Sequence, residues 1–308
     1  MSAVRVRLVV PPEHTGTAVA VLRECPGLAT LVVDRGVAVV PAGDVVTADL
    51  ARESLDGVIA VLHRRGLAGA GELSWEPVDT AVGPRLAQAE RRAPGEGADA
   101  LVWDELAVRT EEDSRLTWTY LVLMAAATAL AAIGVVTDST IAVVGAMVVG
   151  PDFGPLAGLA VALARRDPRA VGRSARAVAV GFAVAILVTA AFVAGLRAVG
   201  LAATTDVRSS QGTEFVYHPG WLSLITALVA GVVGMVALTS GRSAVLVGVF
   251  ISVTTIPAAG YIATAPVFGL WSAAGGSLGQ LGLNLVGILA AALTVLALRS
   301  RRRRPRPA

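Results

Sequence analysis

The chain has 308 residues, 55% of them hydrophobic and only 16% charged, with a mean hydropathy of +0.68. A soluble globular chain is typically about 45–50% apolar and about 25% charged, so the composition excludes a single water-soluble domain. The net charge of +3 comes from arginine without any lysine, and much of that arginine borders apolar runs, a placement that reads as membrane topology rather than nucleic-acid binding. Cys25 is the only cysteine, which excludes an intrachain disulfide and thiol-rich metal sites. Neither a metal nor another cofactor is expected.

Residues 1–78 read as a small soluble α+β domain. VRVRLVV (4–10) alternates as a strand, and its apolar run is too short for a signal peptide, so the span starting near Trp118 is expected to direct insertion. PPEHTGTAVAVLRECPG (11–27) has Pro and Thr at its start and Val19, Leu22 and Arg23 at helical spacing. ATLVVDRGVAVVP (29–41) reads as two short strands turning at Asp34-Arg35-Gly36. DVVTADLARESLDGVIAVLHRRG (44–66) places Leu50, Leu55, Val58, Ile59 and Leu62 on one helical face, and GELSWEP (71–77) closes the domain as a strand. The order β-α-β-β-α-β predicts a ferredoxin-like, split-βαβ arrangement. No ligand motif stands out. His14 and His63 read as surface residues, and the domain as a scaffold or a sensor.

Residues 79–99 are rich in Ala, Gly, Pro and charge and read as a linker. Residues 100–117 place Leu101, Trp103, Leu106 and Ala107 on one face, which predicts an amphipathic helix along the membrane surface, with Trp118 and Tyr120 at the headgroup boundary. Six spans are then expected within 118–298, near 118–136, 140–164, 174–196, 221–239, 243–263 and 278–298, each close to the roughly 20 residues that a bilayer requires. Arg165, Arg166, Arg169, Arg173 and Arg176, Arg242, and the basic tail 299–308 fall on one side, and only Arg197 and Arg208 on the other. That asymmetry predicts a multi-pass cell-membrane protein with both termini in the cytoplasm.

The second expected span carries the most information. TIAVVGAMVVGPDFGPLAGLAVALA (140–164) contains Gly150, Pro151, Asp152, Gly154 and Pro155 at its middle. Proline removes a backbone donor and clashes with the preceding turn, so the helix should break here. In lipid, freed backbone groups cost several kcal/mol each unless protein or water meets them. A carboxylate at mid-bilayer costs roughly 2.5–3.5 kcal/mol on insertion scales. Asp152 is therefore read as a site residue or as the cap of the second half-helix, two roles that are compatible. The fifth expected span has Pro257 past its middle, after Ser252, Thr254 and Thr255. A shift of 102 residues lays Pro155-Leu156-Ala157-Gly158 on Pro257-Ala258-Ala259-Gly260. The chain then reads as two inverted three-helix repeats whose broken second and fifth helices meet at the midplane. Asn284 is a further polar residue within the sixth span. Thr137-Asp138-Ser139 can cap the second.

The segment VVGAMVVGPDFGPLAG (143–158) resembles the uncharacterised hydrophobic family called domain of unknown function 389, in which a GAM motif is followed by two proline pairs in a second span. Gly145, Ala146, Met147, Pro151, Gly154 and Pro155 fit that pattern, and Trp103-Asp104-Glu105-Leu106 is similar to the family's pre-membrane helix. Gly150 and Asp152 depart from it, since the family usually has Ser before the first Pro and an apolar residue after it. The resemblance, over roughly 101–298, implies a membrane fold with a broken helix and supplies no substrate.

Two functions follow. The first is a transporter or channel for a small solute or ion, with Asp152 facing Ser252, Thr254 and Thr255. The second is a membrane-anchored sensor or scaffold in which the soluble domain binds a ligand or partner. An enzyme is not expected, because the spans hold no His or Cys and no nucleophile-base pair. The bilayer is the main partner. Gly-rich faces predict a homo-oligomer, dimer or trimer.

Overall fold

A computed structural model describes residues 3–78, 83–93, 103–202, 220–240 and 255–302. The chain divides into two compact units, Met1–Asp104 and Glu105–Ala308.

The first unit is a four-stranded antiparallel sheet with helices packed on it. Its elements are β1 (Ala3–Val10), α1 (Pro12–Arg23), β2 (Leu28–Val39), β3 (Ala42–Ala51), α2 (Leu55–Arg64), α3 (Leu67–Ala70), β4 (Glu72–Val78) and α4 (Pro84–Arg92). The sheet order is β2-β3-β1-β4. Alternation along β1 sends Val4, Val6, Leu8 and Val10 to one face, where they meet Leu22 of α1 and Leu55, Ile59 and Leu62 of α2. Burying each such side chain contributes about 1.5–3 kcal/mol.

The order of strands and helices agrees with the sequence, but two boundaries move. β2 runs straight through the expected turn at Asp34-Arg35-Gly36, and the hairpin closes after Val39 instead. Gly36, at φ +64°, serves a bulge between Asp34 and Ala38. Residues 44–51, expected to open the second helix, are strand: Leu50 pairs with Val4 across the β1–β3 ladder. The helix starts only at Leu55, after a turn of 3₁₀ helix at Arg52–Ser54. The segment expected as linker holds α4, whose Leu86 and Ala89 pack against Ala3 and Ala29.

The second unit is helical: α5 (Trp103–Asp113, beginning at the division), α6 (Trp118–Val136), α7 (Thr140–Val149), α8 (Phe153–Arg165), α9 (Pro168–Ala198), α10 (Trp221–Thr239), α11 (Thr255–Phe268, its last turn 3₁₀) and α12 (Trp271–Arg302). Among the described residues, α6, α9, α10 and α12 are long and apolar enough to cross a membrane. The pair α7–α8 passes the same test as one span bent by 50°. α11 is a shorter apolar helix. Residues 243–254 of the expected fifth span lie outside the described residues. α10 and α12 lie together at backbone range: a Cβ on Gly231 would meet the Ile288 carbonyl oxygen at 2.6 Å and the Ala291 Cβ at 2.8 Å.

Two outcomes follow. Gly231→Ala should destabilise the detergent-solubilised chain by about 1–3 kcal/mol through overpacking, whereas Gly279→Ala, with nothing within 4 Å of its new Cβ, should be neutral or stabilising; thermal midpoints followed by size exclusion read both. In the sheet, Asp44 accepts hydrogen bonds from the Thr15 hydroxyl (2.7 Å) and the Gly36 N–H (2.8 Å), which hold its carboxyl below the ordinary value. A carboxyl depressed in this way stabilises the fold above its unfolded value of about 3.9, and that contribution is lost as pH falls through the lower folded value. Asp44→Ala should therefore weaken hydrogen-exchange protection of the β2–β3 amides at neutral pH, with the gap to the parent chain closing in acid.

Candidate functional site

The break between α7 and α8 is made by Gly150, Pro151 and Asp152. α7 starts under a cap: the Ser139 hydroxyl accepts from the Ala142 N–H at 3.3 Å. It ends at Gly150, which is extended (φ −69°, ψ 120°). Pro151 sits inside the break. Pro155 sits in the first turn of α8, where N–H groups have no partner within the helix and a missing donor costs nothing. Pro155 thus begins the second half-helix rather than interrupting it. Pro257 lies in α11, two residues after Thr255, where the described residues resume.

Asp152 is buried, at 1% exposure. It occupies the N-cap position of α8, yet its side chain makes no cap bond there. Its carboxylate accepts a hydrogen bond from the Thr255 hydroxyl, 103 residues away in sequence and fully buried. The start of α8 and Thr255 of α11 therefore meet at one side-chain contact, and the positive end of the α8 dipole favours a negative charge there.

The surroundings are apolar and close-packed. Met124 and Ala131 of α6, Ala146 of α7, Phe182 of α9, Ile256 of α11 and Leu281 of α12 form one buried cluster. α11 approaches α6 closely enough that a Cβ on Gly260 would stand 2.7 Å from that of Ala131. Tyr120, expected at the headgroup boundary, is buried instead: its hydroxyl donates to the Ala177 carbonyl at 3.1 Å, and it lies within electrostatic reach of Asp152. Trp118 is exposed as expected.

Sequence reasoning missed the part played by α5. Its stripe continues through Leu106, Thr110 and Ser114, all buried. Ser114 accepts from the Ser174 hydroxyl of α9 at 3.0 Å, and Glu111 pairs with Arg173 at 3.2 Å. A Cβ on Gly154 would meet Asp113 at 2.6 Å, and one on Gly158 would meet the Ser114 Oγ at 2.3 Å. Lost hydration on this side pushes the Asp113 carboxyl up, with Arg109 opposing. The stripe of buried residues ending in small polar side chains was the available signal; it was assigned to a lipid surface rather than to a protein groove.

Of the expected site residues, Gly150, Pro151, Asp152, Gly154 and Pro155 form the break and the start of α8, and Thr255 and Pro257 belong to α11. Ser252 and Thr254 lie outside the described residues. Asn284 is buried but its amide oxygen accepts from the Ser223 hydroxyl of α10 at 3.0 Å. Among the described residues, no group of three or more His, Cys, Asp or Glu side chains is placed to hold a metal ion.

The architecture defines a class: a mostly helical chain with, among the described residues, four candidate membrane spans and one bent helix pair, together with a small N-terminal antiparallel sheet. Residues 147–290 match the family model described as Domain of unknown function (DUF389), the same family that 143–158 resembles. The match takes in the break, α8 to α10, α11 and most of α12. No curated protein and no solved structure matched the chain.

Thr255→Val should cost about 1.5–3 kcal/mol, the range for a hydrogen bond to a charged group. In a double-mutant cycle with Asp152→Leu the two losses should be markedly less than additive; thermal midpoints in detergent read the coupling.

Proposed function

We propose that the chain is an integral membrane transporter or channel for a small solute or ion, working at the junction of the α7–α8 break with the start of α11. The observation that carries this reading is the buried Asp152 carboxylate, bonded to Thr255 rather than to its own helix. An ionisable group inside a membrane protein is expensive and is retained for function more often than for stability. An interrupted helix whose half-helix N-terminus carries a polar contact to another helix is a construction by which secondary transporters place a binding site at mid-membrane.

On this reading 243–254 completes a fifth span, giving six. The halves around α6–α9 and α10–α12 are inverted repeats, with Pro155 and Pro257 at equivalent positions. The arginines of 165–176 and of the tail put both termini in the cytoplasm, and the first unit is a ferredoxin-like regulatory or assembly domain. The chain performs no covalent chemistry and assembles as a homo-oligomer. The ligand is a proton, a cation or a polar solute that hydrogen-bonds to a carboxylate, because Asp152 already supplies the negative charge that the N-terminus of α8 attracts.

Purified chain in liposomes should move at least one small ion or polar solute across the bilayer, and Asp152→Asn should reduce that flux by about tenfold or more, as expected when a charged partner in a site is lost. A flux unchanged in Asp152→Asn places the pathway elsewhere. Absence of flux over a panel of monovalent cations, protons, amino acids and organic anions removes the reading.

A further inference from the structure

Six hydroxyls within the membrane helices are disposed of in one way, while two buried ones, Thr189 of α9 and Ser277 of α12, have no hydrogen-bond partner. Thr128, Thr226, Thr239, Ser240, Thr264 and Thr294 each donate to the carbonyl four residues earlier, at 2.6–2.8 Å. That bond removes a hydroxyl from any other use. Ser277, in the second turn of α12, does otherwise. It is fully buried, and its Oγ has no hydrogen-bond partner. A buried polar atom without a partner in a membrane interior calls for water or a ligand.

Ser277 is not isolated. Gln280 and Asn284 follow it at i+3 and i+7 on the same face of α12. The Gln280 amide nitrogen donates to the Ser223 Oγ of α10 (3.3 Å), and the Ser223 hydroxyl donates to the Asn284 Oδ1 (3.0 Å). Gln280 and Asn284 are 4% and 0% exposed. Seven residues of helix carry this row over about 10 Å. Leu281, beside Gln280, belongs to the cluster that contains Ile256, the neighbour of Thr255. The row and the Asp152–Thr255 contact are thus each one residue removed from the same buried cluster.

We propose that Ser277, Gln280 and Asn284 of α12 with Ser223 of α10 form a hydrated path to the Asp152–Thr255 junction, occupied by water and small hydrophilic solutes. The inference rests on the transport reading for its destination, and on Ser277 for its existence. All four side chains are neutral amides or hydroxyls, so the path admits polar species without selecting a sign of charge, and discrimination falls to Asp152.

Thiol accessibility tests it in the full-length chain. Cys25 is the only cysteine, so Cys25→Ala gives a thiol-free background. Ser277→Cys, Gln280→Cys and the control Leu278→Cys, whose parent side chain is 59% exposed on the outer side of α12, are placed in nanodiscs open to solvent on both faces. The probe is a trimethylammonium methanethiosulfonate, which reacts with the thiolate. A thiol against hydrocarbon ionises poorly, so Ser277→Cys and Gln280→Cys should react about tenfold or more faster than Leu278→Cys. Ser277→Cys is near-isosteric, and a monodisperse profile verifies its fold. Rates equal to or below the control overturn the path. Flux in liposomes with unreactive Ser277→Cys and Gln280→Cys keeps the transport reading and overturns the path. Fast labelling without flux keeps the path and removes the transport reading.

Discussion

A carboxylate that cannot reach bulk water must be held by the chain itself, and the arrangement around Asp152 follows from that requirement. Hydrocarbon offers no hydrogen bonds, so every polar group in the helical unit is met by protein or is left at a cost. Asp152 accepts from Thr255, which ties the α7–α8 break to the start of α11. The Tyr120 hydroxyl reaches the Ala177 carbonyl, Ser174 reaches Ser114, and Ser223 reaches Asn284. Each of these bonds joins two different helices, so satisfying polar groups and fixing helix positions are the same task.

The apolar part of the structure is arranged by size rather than by hydrophobicity, because lipid tails are as apolar as leucine. Gly231 lets α10 approach the α12 backbone, and Gly260 lets α11 reach α6. Alanine supplies much of the remaining contact surface: Ala127, Ala131, Ala146, Ala185, Ala258 and Ala259 all lie in one cluster. The large side chains point the other way, as Leu187, Leu222 and Val286 do at 65–80% exposure. Such a division keeps helices close enough for short side chains such as Thr255 and Ser223 to bridge them.

The break was legible in the sequence because proline and glycine act locally. Gly150-Pro151-Asp152 interrupts a helix wherever it stands, and the offset that aligns Pro155 with Pro257 pointed to α11 as its counterpart. The atom that meets Asp152 was narrowed to three hydroxyls, Ser252, Thr254 and Thr255, since spacing alone does not fix how one half-helix turns against another. Residues 44–51 carry a strand's alternation, Val46, Ala48 and Leu50, that runs without a break signal into the helical spacing of Leu55, Val58, Ile59 and Leu62, so the boundary between them is not marked in the sequence. The packing of Tyr120 and α5 against other helices was not legible for a shared reason. A tyrosine with one polar end, or an amphipathic stripe, suits a headgroup layer and a protein groove equally well, and only the tertiary fold distinguishes the two.

Helix α8 comes against the end of α5 at Gly154 and Gly158, where the Asp113 and Ser114 side chains fill the space a Cβ would take. Surfaces so close do not slide past one another without separating, and the Ser114–Ser174 and Glu111–Arg173 bonds fasten α5 to α9 as well. α5, α8 and the first half of α9 are therefore fastened into one block. Its boundary with α7 is the three residues 150–152, bent by 50°, and Asp152 sits in that bend. The angle of the break and the reach from Asp152 to Thr255 are thus set together, through a single hydrogen bond.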